Sequence, residues 1–246
     1  MSEPSVEELP LTVTPHPVPR LVFHSLARRL MAEGLGTAML LAAVVGSGIM
    51  GERLSQGNNA LALLANSLAT GAALIALILA LGPISGAHFN PLVTLAVAAR
   101  REMSWKEVPP YLAVQGVGAL VGVWSTHYLF EVPVFMTSQH ARTGGPQWAS
   151  EVLATSGLLL IILACAKARP QAVPYAVGAY ITAAYWFTSS TSFANPAVTI
   201  ARAFTNTFAG IRPADVAGFV AAQLVGAALA TALFGWLVPA RRQESS

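Results

Sequence analysis

The sequence predicts an all-α integral membrane protein: six transmembrane helices and two re-entrant half-helices, arranged as an inverted two-fold repeat. Three observations carry that expectation. Of the 246 residues, 54% are hydrophobic and 10% charged, with a mean hydropathy of +0.59; soluble domains carry roughly 25% charged residues. Six apolar stretches approach the roughly 20 residues that one bilayer crossing requires. A short motif is also written twice, 105 residues apart: Asn90-Pro91-Leu92-Val93-Thr94 returns as Asn195-Pro196-Ala197-Val198-Thr199.

The elements follow in order. Residues 1–19 begin acidic and run through Pro10, Pro15, Pro17 and Pro19, without the basic start and apolar core of a signal peptide. They read as a retained flexible tail, part of a cytoplasmic N-terminal segment placed at 1–30. One membrane domain is expected over 31–240, with its first repeat at about 31–130 and its second at about 148–240. Residues 241–246 form a C-terminal tail. The crossings are expected near Ala32–Met50, Ala60–Leu81, Pro110–Phe130, Trp148–Ala166, Tyr175–Thr188 and Ala214–Val238. The fifth is the shortest, since Ser189-Ser190-Thr191-Ser192 follows it. Two more helical patterns, about Asn90–Arg101 and Asn195–Asn206, are too short to cross and read as re-entrant. With both termini in the cytoplasm, 10 of the 14 Lys and Arg residues fall inside, which sets the orientation.

Three crossings separate Asn90 from Asn195, an odd number, so the second copy is inverted relative to the first. Other residues repeat with it. Glu33 in the first span is echoed by Glu151 in the fourth, and Gln115 in the third by Gln223 in the sixth. Inverted repeats place their site near the midplane, where the repeats meet.

An Asn-Pro pair opening an apolar run is a helix start. Asn caps a free first-turn N–H, and Pro suits the first helical position. The positive dipole ends of two such starts, meeting at mid-membrane, would repel cations. With the Asn90 and Asn195 oxygens used in capping, their amide N–H groups are free to point into a lumen. Carbonyls of Gly86, Ala87 and His88, and of Ser192, Phe193 and Ala194, would add a ladder of acceptors. A neutral solute bearing oxygens fits that surface.

Ser85-Gly86-Ala87-His88-Phe89-Asn90-Pro91, with the Glu, Gln and second Asn-Pro framework, resembles the aquaporin and aquaglyceroporin (major intrinsic protein) family. The resemblance spans about 32–238. It implies a homotetramer with one pore per subunit, and exclusion of cations by half-helix dipoles, a known device of that family. It also implies that Glu33 and Glu151 accept hydrogen bonds from the re-entrant backbones. A charge inside a span costs roughly 2.5–3.5 kcal/mol, so such partners are needed. Leu92 stands where the family usually has Ala, and is expected to tighten or dehydrate the waist. Val198 stands where the family usually has Arg. The remaining filter positions, taken by spacing from the two Asn residues, are Thr70, Ala183 and Ser192. Thr70, Ala183, Ser192 and Val198 together imply a wide, uncharged filter, similar to that of bacterial aquaglyceroporins associated with arsenic resistance. Arg202, one turn beyond Val198, is expected either to line the outer vestibule or to reach the membrane interface.

The function expected is a passive channel for water, glycerol, urea-like solutes and metalloid hydroxides such as arsenite, in a bacterial cytoplasmic membrane. No nucleophile–base arrangement, phosphate loop or metal-ligand spacing is present, so no enzyme, cofactor or metal is expected. The lone Cys165 excludes a disulfide framework, and no basic cluster interleaved with aromatics points to nucleic acid. An ion-coupled transporter, with Glu33 and Glu151 as candidate sites, and a closed-pore structural protein are the alternatives.

Overall fold

The computed structural model describes residues 24–238 and contains eight α-helices with no strand among the described residues. They are α1 (Leu26–Leu54), α2 (Asn59–Ser85), α3 (Pro91–Ala99), α4 (Val108–Leu129), α5 (Gly145–Ala168), α6 (Val173–Phe187), α7 (Pro196–Ala201) and α8 (Pro213–Leu237). The six long ones occupy the expected crossings, and α3 and α7 are the half-helices. By length and hydropathy alone, α1, α2, α5 and α8 are each sufficient to cross a membrane. Helix α6 has only 15 residues, about 22 Å of rise, and the chain continues from it as the irregular segment 188–194, which opens with a turn.

Two boundaries differ from the sequence reading. Helix α1 starts at Leu26, inside the segment placed in the tail; hydropathy stops at Arg28 and Arg29, but both are good helix formers. Arg29 is fastened there by Tyr111 Oη at 2.9 Å and Glu107 at 3.0 Å. The second short helix stops at Ala201 and tightens into a 3-10 turn, Arg202–Phe204, instead of running to Asn206. Residues 1–23 and 239–246, including most of the N-terminal tail and all of the C-terminal one, lie outside the described residues.

Helix α1 packs on α4 in the first repeat and α5 on α8 in the second, while α2 meets α6 across the repeat boundary. Each contact is made by glycines that let backbones touch. A Cβ on Gly118 would strike the Gly34 carbonyl, and one on Gly122 the Ala38 carbonyl. In the other two pairs, a Cβ on Gly226 would lie 2.6 Å from the Val152 carbonyl, and one on Gly178 2.6 Å from that of Gly71. This is packing by small residues, the main source of helix association in lipid. Gly118→Val is therefore expected to destabilise the fold by about 1–3 kcal/mol, seen as a lower unfolding temperature in detergent. Gly116→Val, at a position with open space around it, should leave that temperature nearly unchanged.

Candidate functional site

The sequence repeat is carried into the backbone. Before α3, positive φ occurs at Gly86, Ala87 and Phe89; before α7 it occurs at Thr191, Ser192 and Ala194, each 105 residues on. A non-glycine residue held in the left-handed region costs about 1–3 kcal/mol and persists only when its surroundings enforce it.

Those surroundings are the two buried carboxylates. Glu33 is fully buried. Its Oε1 accepts from Ser85 Oγ (2.7 Å) and the His88 N–H (2.9 Å), and its Oε2 from the Phe89 N–H (2.8 Å) and Gln115 Nε2 (2.9 Å). Glu151 is equally buried and accepts the Phe193 and Ala194 N–H groups at 2.9 Å and Gln223 Nε2 at 2.6 Å. Each glutamine also donates to a threonine, Thr94 or Thr199, whose hydroxyl donates to the carbonyl of Asn90 or Asn195. The two threonines belong to the doubled motif, so the repeat itself is the sequence signal that pairs them.

Each asparagine caps its own half-helix. Asn90 Oδ1 accepts the Leu92 N–H at 2.9 Å, and Asn195 Oδ1 accepts the Ala197 N–H at 3.0 Å. The side-chain amides then cross between repeats: Asn90 Nδ2 donates to the Ala194 carbonyl and Asn195 Nδ2 to the Phe89 carbonyl, both at 2.8 Å. The half-helix starts are thus locked face to face, and one N–H of each amide remains uncommitted to protein.

A cavity of about 650 Å³ passes this junction. Its apolar wall comes from one face of each of four helices: Leu40 and Val44 of α1, Leu74 and Ile78 of α2, Leu158 and Ile162 of α5, Val177 and Ile181 of α6. The opposite strip is polar and largely main chain, comprising Gly86, Ala87, His88, Asn90, Ser192, Phe193, Ala194 and Asn195. His88 does not dangle in the opening, since its Nδ1 lies 3.0 Å from Thr94 Oγ1. Pro91, Leu92, Pro196 and Ala197 are not on the wall. Leu92, expected to dehydrate the waist, packs instead with Leu159 and Ala230; the second residue of a short helix turns away from the lumen that its capping residue faces.

Of the four filter positions, Thr70, Ser192 and Val198 line the cavity beyond Asn195. Ala183 does not. It is exposed on the outer surface of α6; beyond the first turn of that helix, the residues reaching the cavity are Val177, Ile181 and Tyr185. These repeat every four residues, whereas Ala183 lies two residues from Ile181 and so about 200° round the helix. Counting back from Asn195 crosses the irregular segment 188–194, where spacing carries no helical phase. Tyr185 lines the cavity from that helix, with its hydroxyl 3.2 Å from Thr70 Oγ1.

Arg202 is not at the membrane interface. It is 2% exposed and lines the cavity, with its guanidinium carbon 3.4 Å from the centroid of the Phe193 ring. A second arginine, Arg142, lies over the same ring at 5.2 Å. It comes from the connection between α4 and α5, and no local pattern in the sequence marks it. Among the described residues, no group of His, Cys, Asp and Glu is arranged to hold a metal ion.

The profile of the family described as Major intrinsic protein matches residues 21–192. The chain is similar to aquaglyceroporin AqpS of Rhizobium meliloti (strain 1021), 54% identical over 217 residues, 88% of this chain and 93% of that protein. It is also similar to aquaporin NIP3-1 of Oryza sativa subsp. japonica, 32% identical over 171 residues. That match covers 64% of this chain and about half, 52%, of the plant protein. Among solved structures, the X-ray structure of the aquaglyceroporin from Plasmodium falciparum shares the fold, with a TM-score of 0.68 at 20% identity. The match covers 85% of this chain and 96% of that one.

Proposed function

The chain belongs to the major intrinsic protein family of membrane channels, and on that premise we propose that its cavity passes glycerol, urea-like solutes and metalloid hydroxides such as arsenite, besides water, down their own gradients. One observation carries the reading: an apolar wall from four helices faces a single strip of carbonyls and asparagine amides. A solute with C–H or other weakly solvated surface on one side and oxygens on the other exchanges its hydration for that strip and wall at little net cost. The filter residues proposed are Thr70, Ser192 and Val198, with Tyr185 in place of Ala183. None of the four bears a charge, which favours neutral cargo larger than water.

The same reading places both termini in the cytoplasm, on the basis of the Lys and Arg distribution. It gives the channel a bacterial inner membrane, and a homotetramer as its assembly. The exposed apolar side chains on its long helices, among them Leu35, Leu68, Val121 and Leu229, suit lipid and neighbouring protomers alike.

Stopped-flow swelling of proteoliposomes with water, glycerol, urea and arsenite tests the proposal. Glycerol permeability well above that of protein-free vesicles, linear in concentration and independent of ion gradients, is the expected result. Saturable, ion-dependent flux would replace the channel with a coupled transporter, and absence of all flux would favour a closed structural protein.

A further inference from the structure

The cavity holds a cation that the four filter positions leave out of account. Arg202 heads the largest fully buried side chains of the described residues. Its Nε donates to the Ala209 carbonyl, and its plane rests on Phe193. No carboxylate lies within ion-pair distance of it among the described residues. The two amino groups of its fork, four N–H donors in all, have no protein acceptor there either, although the side chain lines the cavity. Beside it on the same wall, Ser192 Oγ is buried and also without a hydrogen-bond partner. Idle donors on a buried charge are costly unless something else occupies them.

The ring that carries Arg202 is itself held on several sides. The Phe193 N–H is bound by Glu151, its ring meets Phe219 edge-on at 5.1 Å, and Arg142 lies over it. Arg142 is fixed in turn: Nε donates to the Gly210 carbonyl at 2.8 Å, and its backbone N–H to Asp215 at 2.8 Å. Its guanidinium has no ion-paired carboxylate among the described residues. One buried positive charge on the wall, backed across the Phe193 ring by the half-buried Arg142, therefore stands at one end of the passage.

We propose that Arg202, positioned by the Phe193–Arg142 stack, is the specificity-determining cation of the filter, binding the oxygens of a passing neutral solute and barring cations. It works one helical turn beyond Val198. Ser192 Oγ is its partner in solute binding, accepting or donating as the solute requires. The inference rests on the channel reading and gives its filter the charge that Thr70, Tyr185, Ser192 and Val198 lack.

The test is cation leak, measured as proton and sodium flux into vesicles holding purified protein, with water flux recorded alongside. Arg202→Gln is expected to raise the leak about tenfold or more, and Arg202→Lys, which keeps the charge, to leave it near the wild-type value. Ser192→Asp approaches the same charge from the other side. Asp tolerates the positive φ of 51° at this position and supplies the missing counter-ion, so it should raise the leak without touching Arg202. Wild-type leak in a folded, water-conducting Arg202→Gln protein overturns the proposal, as does equal leak in the Gln and Lys variants. Should Arg202→Gln fail to fold, Ser192→Asp decides: an increased leak supports the assignment and an unchanged one ends it. Failure of the wild-type protein to pass glycerol would instead count against the channel reading itself.

Discussion

Glu33→Leu is expected to abolish the first re-entrant segment and, with it, all solute flux. The substitution removes one side chain but strands four donors: Ser85 Oγ, the His88 and Phe89 N–H groups and Gln115 Nε2. Each buried donor left without an acceptor costs about 1–3 kcal/mol, and these four converge on a fully buried position off the cavity wall, where no replacement acceptor stands. Even with partial rearrangement the loss is about 4 kcal/mol or more, a large share of the stability of an ordinary domain. The positive φ values at Ala87 and Phe89 are then no longer enforced. Glu151→Leu strands three donors instead of four, so its effect should run in the same direction and be smaller. Thermal unfolding in detergent measures the order: wild type most stable, then Glu151→Leu, then Glu33→Leu. Glu33→Gln sharpens the test, because it conserves volume yet presents an amide NH2 to donors. If Glu33 relays protons, that variant keeps its unfolding temperature and loses ion coupling. A structural carboxylate gives the reverse, a lowered temperature with passive flux through whatever protein still folds.

What the sequence made legible follows from what repeats. The Asn-Pro pairs, the two glutamines and the two glutamates recur in the same order, at offsets of 105, 108 and 118 residues, and the fold places each set in equivalent bonds. Even the left-handed backbone at Ala87 and Ser192 keeps the 105-residue offset of the Asn-Pro pairs. Hydropathy located the six crossings because the bilayer sets their length. It misjudged the start of α1 because a helix does not stop where lipid does. The errors at the site share one cause: they concern residues whose surroundings come from distant chain. Ala183 is separated from Asn195 by a non-helical segment, so its spacing carries no information on which way it faces. For Arg202 the sequence leaves two places open, the outer vestibule and the interface, and the choice is made by the Phe193 ring and the Ala209 carbonyl, which hold it on the cavity wall. The exchange of amides between Asn90 and Ala194, and between Asn195 and Phe89, joins segments more than 100 residues apart, and neither segment alone announces it.

Val198→Arg is expected to convert a permissive passage into one that favours water. Val198 is 5% exposed and lies on the cavity wall, one turn before Arg202, about 6 Å along the helix. A guanidinium there projects into the space a solute must cross, and can donate to Ser192 Oγ, which has no other partner. It also stands close to the charge of Arg202, and two like charges in a dry passage repel, so the new side chain is pushed toward the lumen. Glycerol must displace it or squeeze past, whereas a single water molecule accepts its hydrogen bonds and moves on. A difference of 1.4 kcal/mol between the two barriers is about tenfold in relative rate, and glycerol flux should fall by at least about that factor relative to water. Equal loss of both would mean that Val198 does not face the rate-limiting constriction. The double variant Val198→Arg with Arg202→Gln separates size from charge. It moves one positive charge inward by a turn instead of adding a second, so cation leak should return toward the wild-type level while glycerol stays excluded. If glycerol flux recovers in the double variant, repulsion between the two arginines, and not the bulk of the side chain, had closed the passage.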